Sequence, residues 1–133
     1  MDVAFLVGRV LFAVLFLTSA AGHVTKTNDM AAYAASRGVP FARPATLLTG
    51  AQLLLGGLSV LLGVWGDLGS LVLLAFLVPT AVLMHGFWKE TEPMAKQMEM
   101  VQFSKDLALA GATLAFYWTF AHDPGLTFTD SLF

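Results

Sequence analysis

Four apolar blocks, each about as long as a membrane-spanning helix, constrain the fold of this chain more than any other feature. They cover residues 3–22, 45–64, 68–87 and 103–120. An α-helix needs ~20 apolar residues to cross ~30 Å of hydrocarbon. The blocks are apolar nearly all round, whereas a helix on the surface of a soluble protein keeps one polar face. The sequence therefore predicts an all-α fold, an integral membrane four-helix bundle that forms one domain over residues 1–133.

The scarcity of charge supports this interpretation and excludes several classes of function. Only 12% of the residues are charged and 57% are hydrophobic, whereas soluble domains carry about 25% charged residues. Seven Lys and Arg face nine Asp and Glu, which leaves no basic surface for nucleic acid. The chain has no cysteine, so disulfides, thiolate catalysis and iron–sulfur ligation are excluded. The partner that this composition predicts is the lipid bilayer.

The distribution of basic residues predicts the orientation of the bundle. The two long connections, residues 23–44 and 88–102, carry most of the Lys and Arg, and Lys105 follows just inside the fourth block. The N-terminus, the short turn at residues 65–67 and the C-terminal segment carry acidic residues and no basic ones. The positive-inside rule then places the long connections in the cytoplasm and both termini outside.

The long connections contain helix signals of their own. Asn28 or Asp29 is a suitable N-cap for a short interfacial helix that ends near Ser36 or Arg37, before a Gly-Val-Pro sequence. In the second connection, Thr91 is a suitable cap for a helix that starts at Glu92-Pro93. That helix is expected to run without a break into the fourth block and to reach ~29 residues, or ~43 Å at 1.5 Å per residue.

Small residues predict where the helices approach each other, because transmembrane helices associate through close backbone contact. Gly50 and Gly57 are seven residues apart and share one face of the second span. In the fourth span a stripe of small residues is predicted to form the contact face, namely Ala108, Gly111, Ala112 and Ala115.

Polar side chains within the apolar blocks are the candidate functional residues, because such groups are costly in hydrocarbon. His23, Gln52, His85, Gln102 and Asp106 all fall in the cytoplasmic half of the predicted bundle. We therefore predict a polar pocket there that binds a small lipophilic ligand, with a quinone as the candidate cofactor.

The chemistry of this predicted pocket has two interpretations. An embedded Asp106 needs a cationic or donor partner, and His85 or His23 would form a pair able to relay a proton or bind a quinone carbonyl. Alternatively, Asp106 forms an ion pair with Lys105 or Lys89 that sets the register of the helices.

Three further features of the polar residues have alternative interpretations. Trp88 is either an interfacial belt residue or a wall on which a ring ligand stacks. Arg9, alone in the outer half, either extends outward to Asp2, Asp67 or Asp123 or binds an anionic head group. His23 and His85 at equal depth also permit bis-histidine haem ligation, although two residues of a common type favour haem less than a quinone. The sequence contains no motif that predicts a metal site.

Several short motifs, in order along the chain, resemble the DoxX family. They are Gly8-Arg9, Gly22-His23, Ser36-Arg37-Gly38-Val39-Pro40, Gln52-Leu53-Leu54-Leu55-Gly56-Gly57, His85-Gly86-Phe87-Trp88 and Phe103-Ser104-Lys105-Asp106-Leu107-Ala108-Leu109-Ala110-Gly111. The resemblance covers nearly the whole chain. Two positions differ, because members of this family often carry Glu in place of Gln52 and Asn in place of Asp106, so the acid stands in the fourth span instead of the second.

The resemblance implies a small four-helix protein of the bacterial inner membrane. Some relatives are the small subunit of a thiosulfate:quinone oxidoreductase, and others anchor soluble redox enzymes. We therefore expect a redox-associated membrane subunit without stand-alone enzymatic activity, which binds a quinone-like or lipophilic ligand. The alternatives are a non-catalytic anchor for a redox partner protein and a small permease or exporter, and a homo-oligomer is compatible with each.

Overall fold

The computed structural model describes residues 2–122 and 124–133, and within these ranges the fold is all-α without strands. It contains the following α-helices: α1, Asp2–Thr25; α2, Thr27–Ser36; α3, Ala42–Leu62; α4, Gly66–Met84; and α5, Pro93–Ala121. A single 3-10 turn, Phe87–Lys89, connects α4 to α5. The predicted all-α class is confirmed, including the short helix between the first two spans.

Three of the helices in the described part of the chain are long and apolar enough to cross a membrane. They are Asp2–Thr25, Ala42–Leu62 and the segment Gly66–Lys89, which contains α4. The chain is therefore a multi-pass membrane protein in contact with the bilayer. Helix α5, at 29 residues, has sufficient length but a more polar composition, since Lys105 and Asp106 lie in its middle. The crossing of the membrane by residues 103–120 stays a prediction.

Helix α5 has the predicted length but a different cap. The side chain of Glu92 accepts hydrogen bonds from the backbone amides of Met94 at 3.2 Å and Ala95 at 2.8 Å. Thr91 makes no such bond in the structure, so the prediction of a Thr91 cap is wrong. The longer Glu side chain reaches two amides of the first turn, and its negative charge favours the positive end of the helix dipole.

Helix α2 begins without the predicted side-chain cap, because helical hydrogen bonding passes almost directly from α1 into α2. The amide of Lys26 donates to Gly22 O, and the amide of Met30 donates to Lys26 O. Helix α2 thus starts at Thr27, and the prediction of Asn28 or Asp29 as N-cap is wrong. Backbone carbonyls from the end of α1 already satisfy the amides that a capping side chain would bind.

The third predicted span ends earlier as a helix than its apolar run does. Helix α4 stops at Met84, and His85 occupies the C-cap position. Gly86 follows in a non-helical conformation, as expected of a residue with a poor helix propensity. The ring of His85 therefore stands where the helical backbone ends.

The helices pack as a curved layer that aromatic rings close at one end. Helix α3 packs against α1 and α4, α5 packs along α4, and α2 packs on α3. Between α1 and α5, the rings of Phe5 and Phe12 contact those of Phe116 and Phe120, with centroids 4.7–5.6 Å apart. This closed end also holds the α3–α4 turn and the C-terminal segment, and we call it the terminal end. The opposite end, where α2 lies, we call the α2 end.

Glycines bring α1 and α3 together as predicted. A Cβ atom added to Gly50 would lie 2.8 Å from the Cβ of His23, and one added to Gly57 would lie 3.0 Å from Leu17 Cδ2. A larger residue at Gly50 would therefore separate the two backbones. The face that Gly50 and Gly57 share is the contact face with α1.

The contact face predicted for α5 is wrong. Ala108, Gly111 and Ala115 are exposed, and no atom lies within 4 Å of a Cβ built on Gly111. The buried residues of α5 are Asp106, Ala110, Thr113 and Phe120. Removing polar side chains such as Asp106 and Thr113 from lipid outweighs the close approach that small residues would allow.

Candidate functional site

A cavity of about 520 Å³ opens at the α2 end of the bundle, and residues from all five helices line it. Its polar wall includes His23, Thr46, Gln52, His85 and Asp106. Its apolar wall comes mainly from α4 and includes Phe76, Pro79 and Leu83. The cavity thus combines an apolar surface with a few polar groups, as small-molecule sites do.

Pro79 leaves one backbone carbonyl of α4 without its helical hydrogen bond at the cavity wall. It stands inside the helix and has no backbone N–H, so the carbonyl of Ala75 loses its helical donor. Both residues line the cavity.

His85 forms the centre of a polar cluster at the mouth of this cavity. Its Nδ1 lies 2.7 Å from Glu99 Oε2, and the hydroxyl of Tyr33 donates to Glu99 Oε1 at 2.7 Å. Glu99 on α5 therefore joins the end of α4 to α2. We call Tyr33, His85, Glu99 and Asp106 the histidine cluster.

The surroundings of Glu99 and Tyr33 change their acidities in opposite directions. Burial raises the pKa of Glu99, but the hydrogen bonds from Tyr33 and His85 together lower it by more than burial raises it. The pKa of Glu99 therefore lies below its usual range. Burial, followed by the hydrogen bond and the charge of Glu99, raises the pKa of Tyr33 to about 12. At neutral pH, Glu99 is therefore an anion that accepts a bond from a neutral tyrosine.

Asp106 faces the other nitrogen of His85 and has no hydrogen bond there. The residue is 6% exposed, and Oδ2 lies 3.8 Å from His85 Nε2. That oxygen is buried without a hydrogen-bond partner among the described residues. The alternative ion pair with Lys105 or Lys89 is not formed in the described structure, where Lys105 donates to Gln102 instead.

His23 and Gln52 complete the polar wall on α1 and α3. His23 is 8% exposed, and its Nδ1 lies 2.8 Å from Ser19 O. Because a carbonyl oxygen only accepts, Nδ1 carries the hydrogen and Nε2 of the neutral ring is an acceptor. The amide nitrogen of Gln52 donates to Val72 O at 2.9 Å, which connects α3 to α4.

The structure thus brings four of the six predicted ligand-binding residues together and separates two from them. His23, Gln52, His85 and Asp106 share the cavity wall. Gln102 is absent from that wall and accepts a hydrogen bond from Lys105. The indole of Trp88, half exposed, packs against Phe87 and Phe103 with ring centroids 5.3 and 5.6 Å away.

Arg9 lies at the terminal end, remote from the cavity, and is 1% exposed. Its guanidinium donates to Val60 O at 2.9 Å, to Leu61 O at 2.8 Å and to Leu126 O at 2.8 Å. It also lies 5.5 Å from the ring centroids of Phe5 and Phe120. Among the described residues, the donors of Arg9 therefore cap backbone carbonyls and none forms an ion pair with an acidic side chain.

Two of the predicted acidic partners of Arg9 are Asp67 and Asp123. Asp67 accepts hydrogen bonds from the amides of Leu132 and Phe133, which fastens the C-terminal segment to the start of α4. Asp123 lies outside the described residues.

Sequence reasoning missed Glu99 and Tyr33, although one signal was available. Glu99 precedes Asp106 by seven residues, or two helical turns, so the two acids share a face of α5. It also missed the ion pair between Arg37 and Glu90, in which the hydrogen bond to Glu90 raises the pKa of Arg37. Arg37 also lies 3.4 Å from the carbonyl of Gly86, beside His85.

The side chains of the site are suited to hydrogen bonding and proton exchange. Among the described residues, no group of three or more His, Asp and Glu side chains is arranged to hold a metal ion. Tyrosine, histidine and carboxylate groups in contact are able to orient a polar ligand and to exchange protons with it.

Comparison with known proteins identifies the family. The sequence model of the DoxX family matches residues 4–86, which extend from the first turn of α1 to the residues just beyond α4 and make up more than half of the chain. No curated protein and no solved structure matches the chain. The matched range ends before α5, so it includes His23, Gln52 and His85 but neither Glu99 nor Asp106. The chain therefore belongs to the DoxX family.

Proposed function

We propose that this protein is a redox-associated membrane subunit whose cavity binds a small lipophilic ligand with a polar head group, a quinone-like ring being the favoured class. The observation that carries the proposal is the convergence of four polar residues on one cavity of about 520 Å³. They are His23, Gln52, His85 and Asp106. Ligand cavities have volumes of about 300–1,000 Å³.

The wall of the cavity matches the chemistry of such a ligand. Phe76, Pro79 and Leu83 offer apolar surface to a ring, while His85 and Asp106 on the same cavity wall are available for hydrogen bonds to its polar substituents. Polar groups of this kind are costly within a membrane protein unless they have a partner or a function. Within the described ranges, Asp106 Oδ2 has no hydrogen-bond partner, which favours a functional role for this wall.

The location follows from the distribution of charge. The basic connections favour, by the positive-inside rule, an orientation with the α2 end in the cytoplasm and both termini outside the inner membrane of a bacterium. The cavity then lies in the cytoplasmic half of the bilayer, where a lipophilic ligand is able to enter from the membrane. A soluble redox enzyme would approach from the same side.

A binding experiment with two glutamine variants tests this function. Decylubiquinone and menadione are titrated calorimetrically into the protein in lipid nanodiscs, with empty nanodiscs as the blank. Gln52→Ala removes an amide from the cavity wall and is expected to weaken binding about 5–10-fold, since one hydrogen bond contributes about 1 kcal/mol. Gln102→Ala, which changes the same residue type away from the cavity, is expected to leave affinity unchanged.

Two outcomes of these titrations would contradict the proposed function. Absence of saturable binding by either quinone, or equal losses in Gln52→Ala and Gln102→Ala, would contradict the proposed function. Because Gln52 also connects α3 to α4, thermal unfolding of each variant in detergent accompanies the titrations and identifies a loss that comes from instability.

A second candidate function, an anchor for a soluble redox enzyme, is favoured by one exposed surface. Met94, Met98 and Val101 follow one another at helical spacing on the first turns of α5 and are 60–71% exposed. They lie at the α2 end, on the side proposed to be cytoplasmic. A photo-crosslinking residue at Met98 is expected to give a protein adduct in native membranes, with Leu107 as the lipid-facing control. Lipid adducts alone at both positions would contradict this candidate.

A further inference from the structure

The hydrogen bonds around Glu99 determine which nitrogen of His85 carries hydrogen. An ionised carboxylate only accepts, and both oxygens of Glu99 are engaged, one by the Tyr33 hydroxyl and one by His85 Nδ1. The lowered pKa of Glu99 keeps this carboxylate ionised at neutral pH. His85 Nδ1 must therefore be the donor, and only Nε2 is left to face Asp106.

The gap between His85 and Asp106 then holds two acceptors facing each other. Nε2 of a neutral imidazole presents a lone pair, and so does the carboxylate oxygen Oδ2. Two such groups in a buried site repel each other unless one of them is protonated. Their separation of 3.8 Å is too long for a direct hydrogen bond. A proton on either group is consequently available to a third atom.

We propose that His85 and Asp106 hold one proton between them at the cavity wall, and that this proton is donated in a hydrogen bond to a carbonyl oxygen of the bound ligand. Glu99 is a positioning residue in this arrangement, because it fixes the Nδ1–H form of His85. The inference rests on the proposed function and adds the ligand class: the cavity selects head groups that accept hydrogen bonds. No proton leaves the pair on binding, so charge is conserved.

Other charged and titratable groups surround the pair. Lys105 on α5, Asp29 on α2, Lys26 between α1 and α2, and His23 on α1 line the same cavity. The ion pair of Arg37, which follows α2, with Glu90, which precedes α5, lies near Gly86 beside His85. Arg37 is paired with Glu90, and Lys105 is bonded to Gln102. These groups also contribute to the electrostatic potential at the pair. The pH dependence of ligand binding is therefore assigned to the pair by comparing variants of the histidine cluster.

The sign of the pH effect follows from the shared proton. At low pH the pair holds the proton and donates it to the ligand. At pH values where the unliganded pair has lost the proton, affinity falls with pH and approaches a tenfold loss per pH unit, the limit that linkage to one proton sets. Glu99 contributes negative charge that favours the protonated pair, so its removal shifts the loss of affinity to lower pH.

Two ring ligands that differ in their carbonyls test the inference directly. A 2-alkyl-1,4-naphthoquinone and the 2-alkylnaphthalene with the same chain are titrated into the nanodisc protein between pH 5 and pH 8.5. The absence of cysteine removes the usual site of quinone addition. The quinone is expected to lose affinity as pH rises, and the naphthalene is expected to show no pH dependence.

Variants then assign the effect to the cluster. His85→Gln removes one of the two groups that share the proton and replaces it with a donor that does not titrate. It is expected to weaken quinone binding at low pH and to change the pH profile to that of Asp106 alone. Glu99→Gln is expected to move the midpoint to lower pH. A wild-type pH profile in both variants, or a pH-independent wild type, would overturn the inference while leaving the proposed function in place.

A readout that needs no ligand separates the two proposals further. Nitrogen-15 spectra of histidine-labelled protein report which ring nitrogen carries hydrogen, and His85→Gln identifies the signals of His85 among the three histidines. The inference predicts a protonated Nδ1 in His85 at neutral pH. A neutral ring protonated on Nε2 alone would overturn it. Failure of every quinone to bind, with Nδ1 protonated, would instead contradict the proposed function.

Discussion

Arg9 is accommodated inside an apolar helix through backbone carbonyls and aromatic rings. Its guanidinium donates to the carbonyls of Val60 and Leu61 in the last turn of α3 and of Leu126 in the C-terminal segment. The last carbonyls of a helix lack intrahelical donors, and they carry the negative end of the helix dipole. A buried cation at this position therefore satisfies groups that lipid could not.

Replacement of Arg9 tests this role. Arg9→Met removes the donors of three carbonyls, one buried and two partly buried, and is expected to lower the free energy of unfolding by about 2–4 kcal/mol. Denaturation in detergent, followed by circular dichroism, measures the change. Arg43→Met is the matched control, because Arg43 makes a single exposed bond of 3.4 Å to Asn28, and its effect should stay below about 0.5 kcal/mol. Equal stability of the two variants would show that the carbonyl cap has no structural role.

Glu99 predicts a specific dependence of stability on pH. Its pKa in the folded protein lies below its usual range, so its contribution to stability is complete above the unfolded value of about 4.3. That contribution is lost as pH falls through the folded pKa. Glu99→Gln is therefore expected to destabilise the protein at pH 6 and to flatten the loss of stability between pH 5 and pH 3. Asp130→Asn, at an exposed position, should retain the wild-type slope.

At the scale of elements, α3 and α5 both carry small residues, but only α3 uses them to approach a neighbouring helix. The shared face of Gly50 and Gly57 contacts α1, whereas Ala108, Gly111 and Ala115 of α5 are exposed. The two helices carry similar patterns of small residues. Only the demand to bury Asp106 and Thr113 distinguishes α5, and this demand rotates its small-residue stripe away from the bundle.

Two glycine variants test this distinction. Gly50→Ala places a Cβ 2.8 Å from the Cβ of His23, so it should force α1 from α3 and lower the unfolding midpoint. Gly111→Ala adds a methyl group where no atom lies within 4 Å and should raise stability by up to about 1 kcal/mol through its helix propensity. Thermal unfolding in the same detergent compares them. A destabilising Gly111→Ala would contradict the outward orientation of this face.

At the scale of the whole molecule, the fourth crossing determines where the termini lie. Helix α5 is long enough to span the bilayer and packs along α4, while its first turns carry the exposed methionines. With α5 as a fourth span, both termini lie on one side of the membrane. If α5 does not cross, the C-terminal segment lies on the opposite side from Asp2.

Single cysteines introduced into this cysteine-free chain test the crossing. A membrane-impermeant maleimide applied to sealed right-side-out vesicles is expected to label Asp2→Cys and Phe128→Cys. It should label Lys96→Cys only after the vesicles are opened. All three positions are exposed. Labelling of Asp2→Cys and Phe128→Cys from opposite sides would exclude the fourth span.

The local pattern of the sequence determined the helices, because the length of an apolar run acts within one segment. The sequence placed α5 at 29 residues, it placed α2 between the first two spans, and it selected His23, Gln52, His85 and Asp106 by their cost in hydrocarbon. Even so, it could not choose the cap of α5, since Thr91 and Glu92 are both suitable and only the turn geometry selects the longer side chain.

Only the tertiary structure decided which polar groups meet. Depth along a helix follows from residue number, but the direction in which a side chain faces depends on how neighbouring helices rotate. Gln102 and Asp106 lie about one turn apart in α5, yet packing on α4 turns Asp106 toward His85 and leaves Gln102 with Lys105. The contact of Tyr33 and His85 through Glu99 joins residues 33, 85 and 99 from three helices. Such long-range pairing is set by the free energy of packing all helices together, which no single segment encodes.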